Sequence, residues 1–331
     1  MDEQVQDNRN VRAAGIREVA RHANVSIATV SRVFNDASAV RPDTLRKIMS
    51  SAALLGYEPS ALGRNLVRRR SDLVGLMVPN LSVPLYGAML HGIEDVLGRH
   101  GMKALLASTA DDQDTEVLAA QGLLKHSIDG GIVINSRVGP QLPTQRTPPW
   151  VHITPEISGL PYRVDLDNEQ GGRLAAREFL NAGRRKFGYV GALGLESAER
   201  ERGYALELGG AGQACRTVNG DYTEASGYEA GLHLLSGPLD AVFVAGDLMA
   251  AGVLRALHQV GRRIPDEVAV IGFDDALIAS LLHPRLSTLR QPAYQMGAAA
   301  AEMVLDLIHN RPVRAVTFMP QLIRRESTAS P

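Results

Sequence analysis

The chain has 331 residues, with 35 lysines and arginines against 36 aspartates and glutamates, for a net charge of −1. That length exceeds what one small core can fill and predicts several domains, while a 45% hydrophobic content predicts globular ones and the single cysteine, Cys215, excludes an internal disulfide framework and suits a reducing compartment. The charge is uneven: residues 1–70 hold twelve basic and seven acidic side chains, a surplus of five that leaves −6 for the rest, as expected where one part of a chain meets phosphates.

Residues 1–14 are polar and charged and read as a disordered tail. They lack the basic start and apolar run of a secretory signal, and no later stretch reaches membrane-spanning length, so a cytoplasmic protein without membrane contact is expected. Over residues 16–35 two short helices are predicted, joined by a tight turn. Ile16, Val19, Ala20 and Ala23 recur at helical spacing, and Val25, Val30, Val33 and Phe34 supply a facing stripe. Ser26 is a good N-cap for the second helix. Ile27, Ala28, Ser31 and Arg32 are left on its outer side, the layout of a helix-turn-helix whose second helix enters the DNA major groove. An ordinary amphipathic helical hairpin is the alternative.

The stretch resembles the DNA-binding headpiece of the lactose-repressor/galactose-repressor family, whose recognition-helix signature reads Ala28-Thr29-Val30-Ser31-Arg32-Val33 here. The resemblance implies that Ile27, Ala28 and Arg32 read bases, and that Ser26, Thr29, Ser31 and Asn35 hold phosphates. A third helix is predicted from Pro42, with Leu45, Ile48, Met49, Ala52 and Leu55 as its stripe and Gly56 as its end. The headpiece thus spans residues 15–58. Residues 59–71 correspond to the family's hinge helix, which implies minor-groove contact, with Leu66 as a wedge into a base step and Arg64 beside it. Ser60 and Gly63 depart from the family's usual Asn and Ala, and a glycine costs on the order of 1 kcal/mol in a helix.

From residue 72 short apolar runs alternate with amphipathic ones. Strands are predicted at 73–78, 103–107, 131–134, 150–153, 186–190, 241–244 and 268–273. Helices are predicted at 87–100, 115–126, 170–182, 225–235, 248–260 and 294–309. Such alternation builds βαβ units and parallel sheets. The resemblance continues through Val164-Asp165-Leu166-Asp167-Asn168, the run from Asp247 to Gly252, the run from Ile264 to Asp275, and the run from Leu322 to Ser327. It implies a periplasmic-binding-protein-like body over residues 72–331 with two Rossmann-like lobes. The N-lobe would comprise about 72–163 and 291–318, and the C-lobe about 164–290 and 319–331.

Parallel sheets bind ligands at the carboxyl ends of their strands. At such positions the resemblance implies an effector site of Leu85, Tyr86, Arg200, Tyr222 and Asp274. Asp274 would accept hydrogen bonds from ligand hydroxyl or amine groups. Plainer readings exist: a helix cap for Asp274 or Asp275, a solvated helix face for Arg200 in the run Glu199-Arg200-Glu201-Arg202, and wall packing for the two tyrosines. Leu85 stands where an aromatic is common, and Gly246 where sugar-responsive members commonly place Asn, so no single sugar is carried over.

Enzyme chemistry has no footing: there is no Walker loop, no dinucleotide fingerprint, no nucleophile elbow and no His/Cys/Asp cluster at metal spacing. No metal and no cofactor are expected. The sequence therefore predicts a small all-α helix-turn-helix headpiece on an α/β body. Its expected function is that of a homodimeric transcriptional regulator, with a tetramer left open. As a repressor it would bind near-palindromic double-stranded operator DNA under control of a small molecule, a sugar or sugar derivative first. A nucleobase corepressor or a protein partner are the alternatives, and a soluble sugar-binding protein is a remote one.

Overall fold

The computed structural model describes residues 14–35, 40–57, 70–81, 83–110, 112–136, 148–155 and 160–328. The expected tail, but for Ala14, and most of the expected hinge, including Arg64 and Leu66, lie outside the described residues, as does the Asn35 side chain. The chain divides into two compact units, residues 1–71 and 72–331.

In the first unit α1 (Ile16–Ala23) starts at Gly15, whose N–H donates to the Glu18 carboxylate at 2.9 Å, and stops at Asn24, which turns left-handed at φ 52°. α2 (Ile27–Asn35) is capped by the Ser26 hydroxyl, which accepts from the Thr29 N–H at 3.1 Å. α3 (Pro42–Leu54) carries proline in its first turn, where a missing N–H costs nothing. The three helices bury Val19, Ala20, Ala23, Val30, Val33, Ile48 and Ala52 as a core of their own. Met49, expected in the α3 stripe, is instead 50% exposed, because Ile48 and Ala52 already fill the contact with α1.

The second unit holds two six-stranded sheets. The first runs β11 (Val316–Phe318), β5 (Arg163–Leu166), β4 (Trp150–Ile153), β3 (Gly130–Ile134), β1 (Leu73–Val78) and β2 (Lys103–Ser108), all parallel. The second runs β12 (Gln321–Ile323), β10 (Ser287–Arg290), β9 (Ala269–Asp274), β8 (Ala241–Val244), β6 (Phe187–Ala192) and β7 (Cys215–Gly220). Only β12 is antiparallel to its neighbour. The chain passes between sheets after Leu166, after Arg290 and between β11 and β12. The first passage corrects the boundary expected at 164: β5 pairs with β4 and β11, so it belongs to the first lobe.

The helices are α4 (Pro84–Arg99), α5 (Gln113–Lys125), α6 (Asn168–Asn181), α7 (Leu195–Gly210), α8 (Glu224–Leu235), α9 (Asp247–Gln259), α10 (Leu277–Leu281) and α11 (Ala293–Ile308). α6 and α7 cross with glycine against backbone on both sides. A Cβ on Gly172 would strike the Arg200 carbonyl, and one on Gly203 the Glu169 carbonyl. This close crossing fixes the turn of α7 that carries Arg200. Among the described residues no helix is long and apolar enough to cross a membrane, and no group of His, Cys, Asp and Glu is arranged to hold a metal ion.

Candidate functional site

Two surfaces carry the expected functional residues. On the headpiece, Val30 and Val33 of α2 point into the core, so the side chains between them are turned out. Ile27 is 46% exposed, and Ala28 and Arg32 are exposed beside it. Ser31 is half-buried. Ser26 and Thr29 are not free donors: their hydroxyls lie 2.8 Å apart, and Ser26 already holds the Thr29 N–H. They first fix the start of the helix that presents Ile27, Ala28 and Arg32.

In the body, the residues expected at the effector site fall at the carboxyl ends of their sheets and form two groups. In the first lobe Leu85 and Tyr86 open α4 and pack half-buried against the main core. The Tyr86 hydroxyl accepts from the Asn135 amide at 3.3 Å, just beyond β3. In the second lobe Arg200, Tyr222 and Asp274 come together.

Arg200 departs from the solvated-face reading. It is 4% exposed, its Nε donates to Asn168 Oδ1 at 2.8 Å, and another guanidinium nitrogen donates to the Ala245 carbonyl at 2.6 Å. Its carbon sits 3.6 Å from the centre of the Phe273 ring, a cation–π stack. Tyr222 adopts a left-handed φ of 67°, and its hydroxyl donates to Glu196 at 3.2 Å. Gly246 lies between Tyr222 and Asp274: a Cβ there would stand 3.2 Å from the Tyr222 ring and 3.7 Å from Asp274 Oδ2.

Asp274 closes β9 at φ 114° and caps no helix, since α10 begins after Ala276 without a side-chain cap. Gln291 donates to its Oδ1 at 2.6 Å. Burial pushes its carboxyl up to about 6, the Arg200 charge and the Gln291 hydrogen bond pull it down, and the nearby Glu196 charge adds to the rise. Asp275 serves structure: its two oxygens take Arg290 at 2.6 Å and Arg325 at 2.5 Å. Asp247, fully buried, accepts from the Thr288 hydroxyl at 2.6 Å and the Ala276 N–H at 2.8 Å, and burial drives its carboxyl well above the usual range.

Sequence reasoning did not single out Gln291, Glu196 or Asn135, nor Asn168 as the partner of Arg200. Asn168 stood inside a quoted landmark. Gln291 gave no such signal, since it follows the polar run Ser287-Thr288-Leu289-Arg290.

Residues 15–60 match the family described as bacterial regulatory proteins, lacI family, and residues 176–328 match the periplasmic binding protein-like domain. The chain is 33% identical over 332 residues to the HTH-type transcriptional regulator GalR of Escherichia coli, covering 96% of each. It is 30% identical over 319 residues to the ribose operon repressor of Halalkalibacterium halodurans, covering 95% of this chain and 96% of the relative. Among solved structures, the transcriptional regulator CelR in complex with cellobiose superposes with a TM-score of 0.72 at 29% identity, over 95% of this chain and 99% of that one. The lac repressor dimer bound to operator and the anti-inducer ONPF gives a TM-score of 0.88 at 22% identity, over 96% of this chain and 100% of that one, a likeness of fold.

Proposed function

Because the chain belongs to the lacI family of bacterial regulatory proteins, we propose that it is a cytoplasmic, DNA-binding repressor of transcription whose operator affinity is set by a polyhydroxylated small molecule, a sugar or sugar derivative. Regulators of this family are not enzymes. Two copies meet on a near-palindromic operator, each placing α2 in a major groove. Leu277 and Leu281, both 72% exposed on α10, are apolar surface of the kind a second copy covers.

The observation that carries the ligand class is the balance of hydrogen-bonding groups in the second lobe. Asp274 and Glu196 offer carboxylate oxygens, while the one guanidinium beside them, Arg200, is held by Asn168, Ala245 and the Phe273 face. These carboxylate oxygens and the Arg200 N–H groups not taken by Asn168 and Ala245 call for donors and acceptors together, and a hydroxyl is both. Tyr222 gives a ring on which a sugar's apolar face rests, with Gly246 packed close beside it. Ligand binding alters the angle between the lobes, and with it the spacing of the two hinge segments and their fit to the minor groove.

The test is a thermal-shift panel on the full chain with D-galactose, D-ribose, cellobiose, D-glucuronate and hypoxanthine. A neutral sugar that raises the midpoint, and loses that effect in Asp274→Ala, supports the reading. Stabilisation by glucuronate alone narrows the class to sugar acids, and stabilisation by hypoxanthine alone overturns it.

A further inference from the structure

Gln291 stands on one of the three passages between the lobes, between β10 of the second sheet and α11. It is a polar side chain only 8% exposed. Its Nε2 reaches back to Asp274 Oδ1 at 2.6 Å. The other carboxylate oxygen, Oδ2, is turned toward Gly246, on the side of the Tyr222 ring. One oxygen of Asp274 is thus tied to the lobe passage, and the other lies near Gly246.

The loop around this carboxylate is built to stay in place. Asp274 and Asp275 both have positive φ, 114° and 57°, which side-chain-bearing residues rarely adopt unless their surroundings impose it. Asp275 is pinned by Arg290, the residue before Gln291, and by Arg325, which follows β12 beyond the third passage. Asp247 holds the Ala276 N–H from beneath. With the loop fixed on the second lobe, the Gln291 side chain joins the Asp274 carboxylate to the chain that leads into α11.

We propose that Gln291 is a positioning residue that couples ligand contact at Asp274 to the geometry of the lobe passage. This rests on the reading of Asp274 as a ligand acceptor. A ligand hydroxyl donating to Oδ2 holds the carboxylate in its charged form and in one rotamer. An ionised acceptor binds an amide N–H more tightly than a neutral one. Gln291 is then held more firmly, and the backbone between β10 and α11 is set in one conformation.

Hydrogen exchange of the full chain tests this through a double-substitution cycle. Gln291→Met keeps the length and apolar stem but removes the donor; Asp274→Ala removes the acceptor, and Asp274→Ser replaces it if the alanine variant does not fold. Each single change is expected to speed exchange of the 288–295 segment about tenfold, with β6 and β8 unchanged. The double variant is expected to exchange no faster than the faster single. Multiplying effects, or an unchanged segment in Gln291→Met, overturn the coupling. In the parent, any sugar that raises the thermal midpoint also slows exchange of this segment, whereas in Gln291→Met it raises the midpoint without doing so. A panel in which no sugar raises the midpoint contradicts the proposed ligand class, while the exchange cycle still decides the Gln291 link.

Discussion

In the proposed function, operator reading turns on Arg32. The two valines that flank it in α2 are buried, so its side chain is directed outward whatever its rotamer. If it makes a bidentate guanine contact, Arg32→Ala should cost about 1–3 kcal/mol on operator and far less on random DNA. Competition binding at fixed salt reads the difference, and equal losses on both DNAs reduce Arg32 to a phosphate contact. Asp274 sets a pH dependence. Its carboxyl is raised to about 6 in the fold against roughly 3.9 in an unfolded chain, so between those values the native state holds more proton than the unfolded one. Its contribution to stability is therefore present below about pH 4 and is lost as pH rises through 6. Asp274→Asn, which cannot ionise, should gain on the parent across that window and keep a constant advantage above it. His152, buried and lowered to about 4, titrates in the same range with the opposite sign, so urea unfolding is compared between variant and parent. A flat difference contradicts the assignment. Asp274 was legible from its place at the end of an apolar strand and from the family pattern. The burial of Arg200 was not, because a Glu-Arg-Glu-Arg run looks solvated until the α6–α7 crossing is known.

At the scale of elements, the long apolar strands and periodic helices were plain in the sequence. β5, β7, β10, β11 and β12 were not. β7 mixes Arg and Asn with small residues on a sheet edge, β10 carries Ser, Thr and Arg, and β11 and β12 are three residues each, so their pairing partners rather than their own composition make them strands. The α6–α7 crossing yields a prediction about rigidity. Gly203→Ala gains up to about 1 kcal/mol of helix propensity, but its Cβ meets the Glu169 carbonyl, and forcing such a contact apart costs typically 1–3 kcal/mol. Net destabilisation, with weaker ligand binding through the displaced Arg200, is the expected result in calorimetry. A more stable variant with unchanged binding contradicts the packing account. For the hinge, Leu66→Ala should weaken operator binding strongly and leave salt-driven binding to random DNA unchanged, because only the operator complex gains from a wedged base step. A variant that still bends the operator like the parent removes Leu66 from that role.

At the scale of the whole molecule, the division of labour appears already in the charges: a basic first 70 residues ahead of an acidic remainder. The headpiece has its own small core and the body two larger lobes, so each can be read as a machine with one task, DNA for the first and ligand for the second. The family pattern made this architecture legible from the sequence. The passage after Leu166 and the Gln291–Asp274 link required coordinates, because both depend on contacts between residues far apart in the chain. The central claim is sequence-specific DNA binding by this chain, and selection from a random double-stranded library with the full-length protein, followed by sequencing, tests it most directly. The account predicts enrichment of a near-palindrome whose half-sites share one motif, with Arg32→Ala relaxing the same position in both halves. A selected pool indistinguishable from the starting library, or a motif without two-fold symmetry, would contradict it.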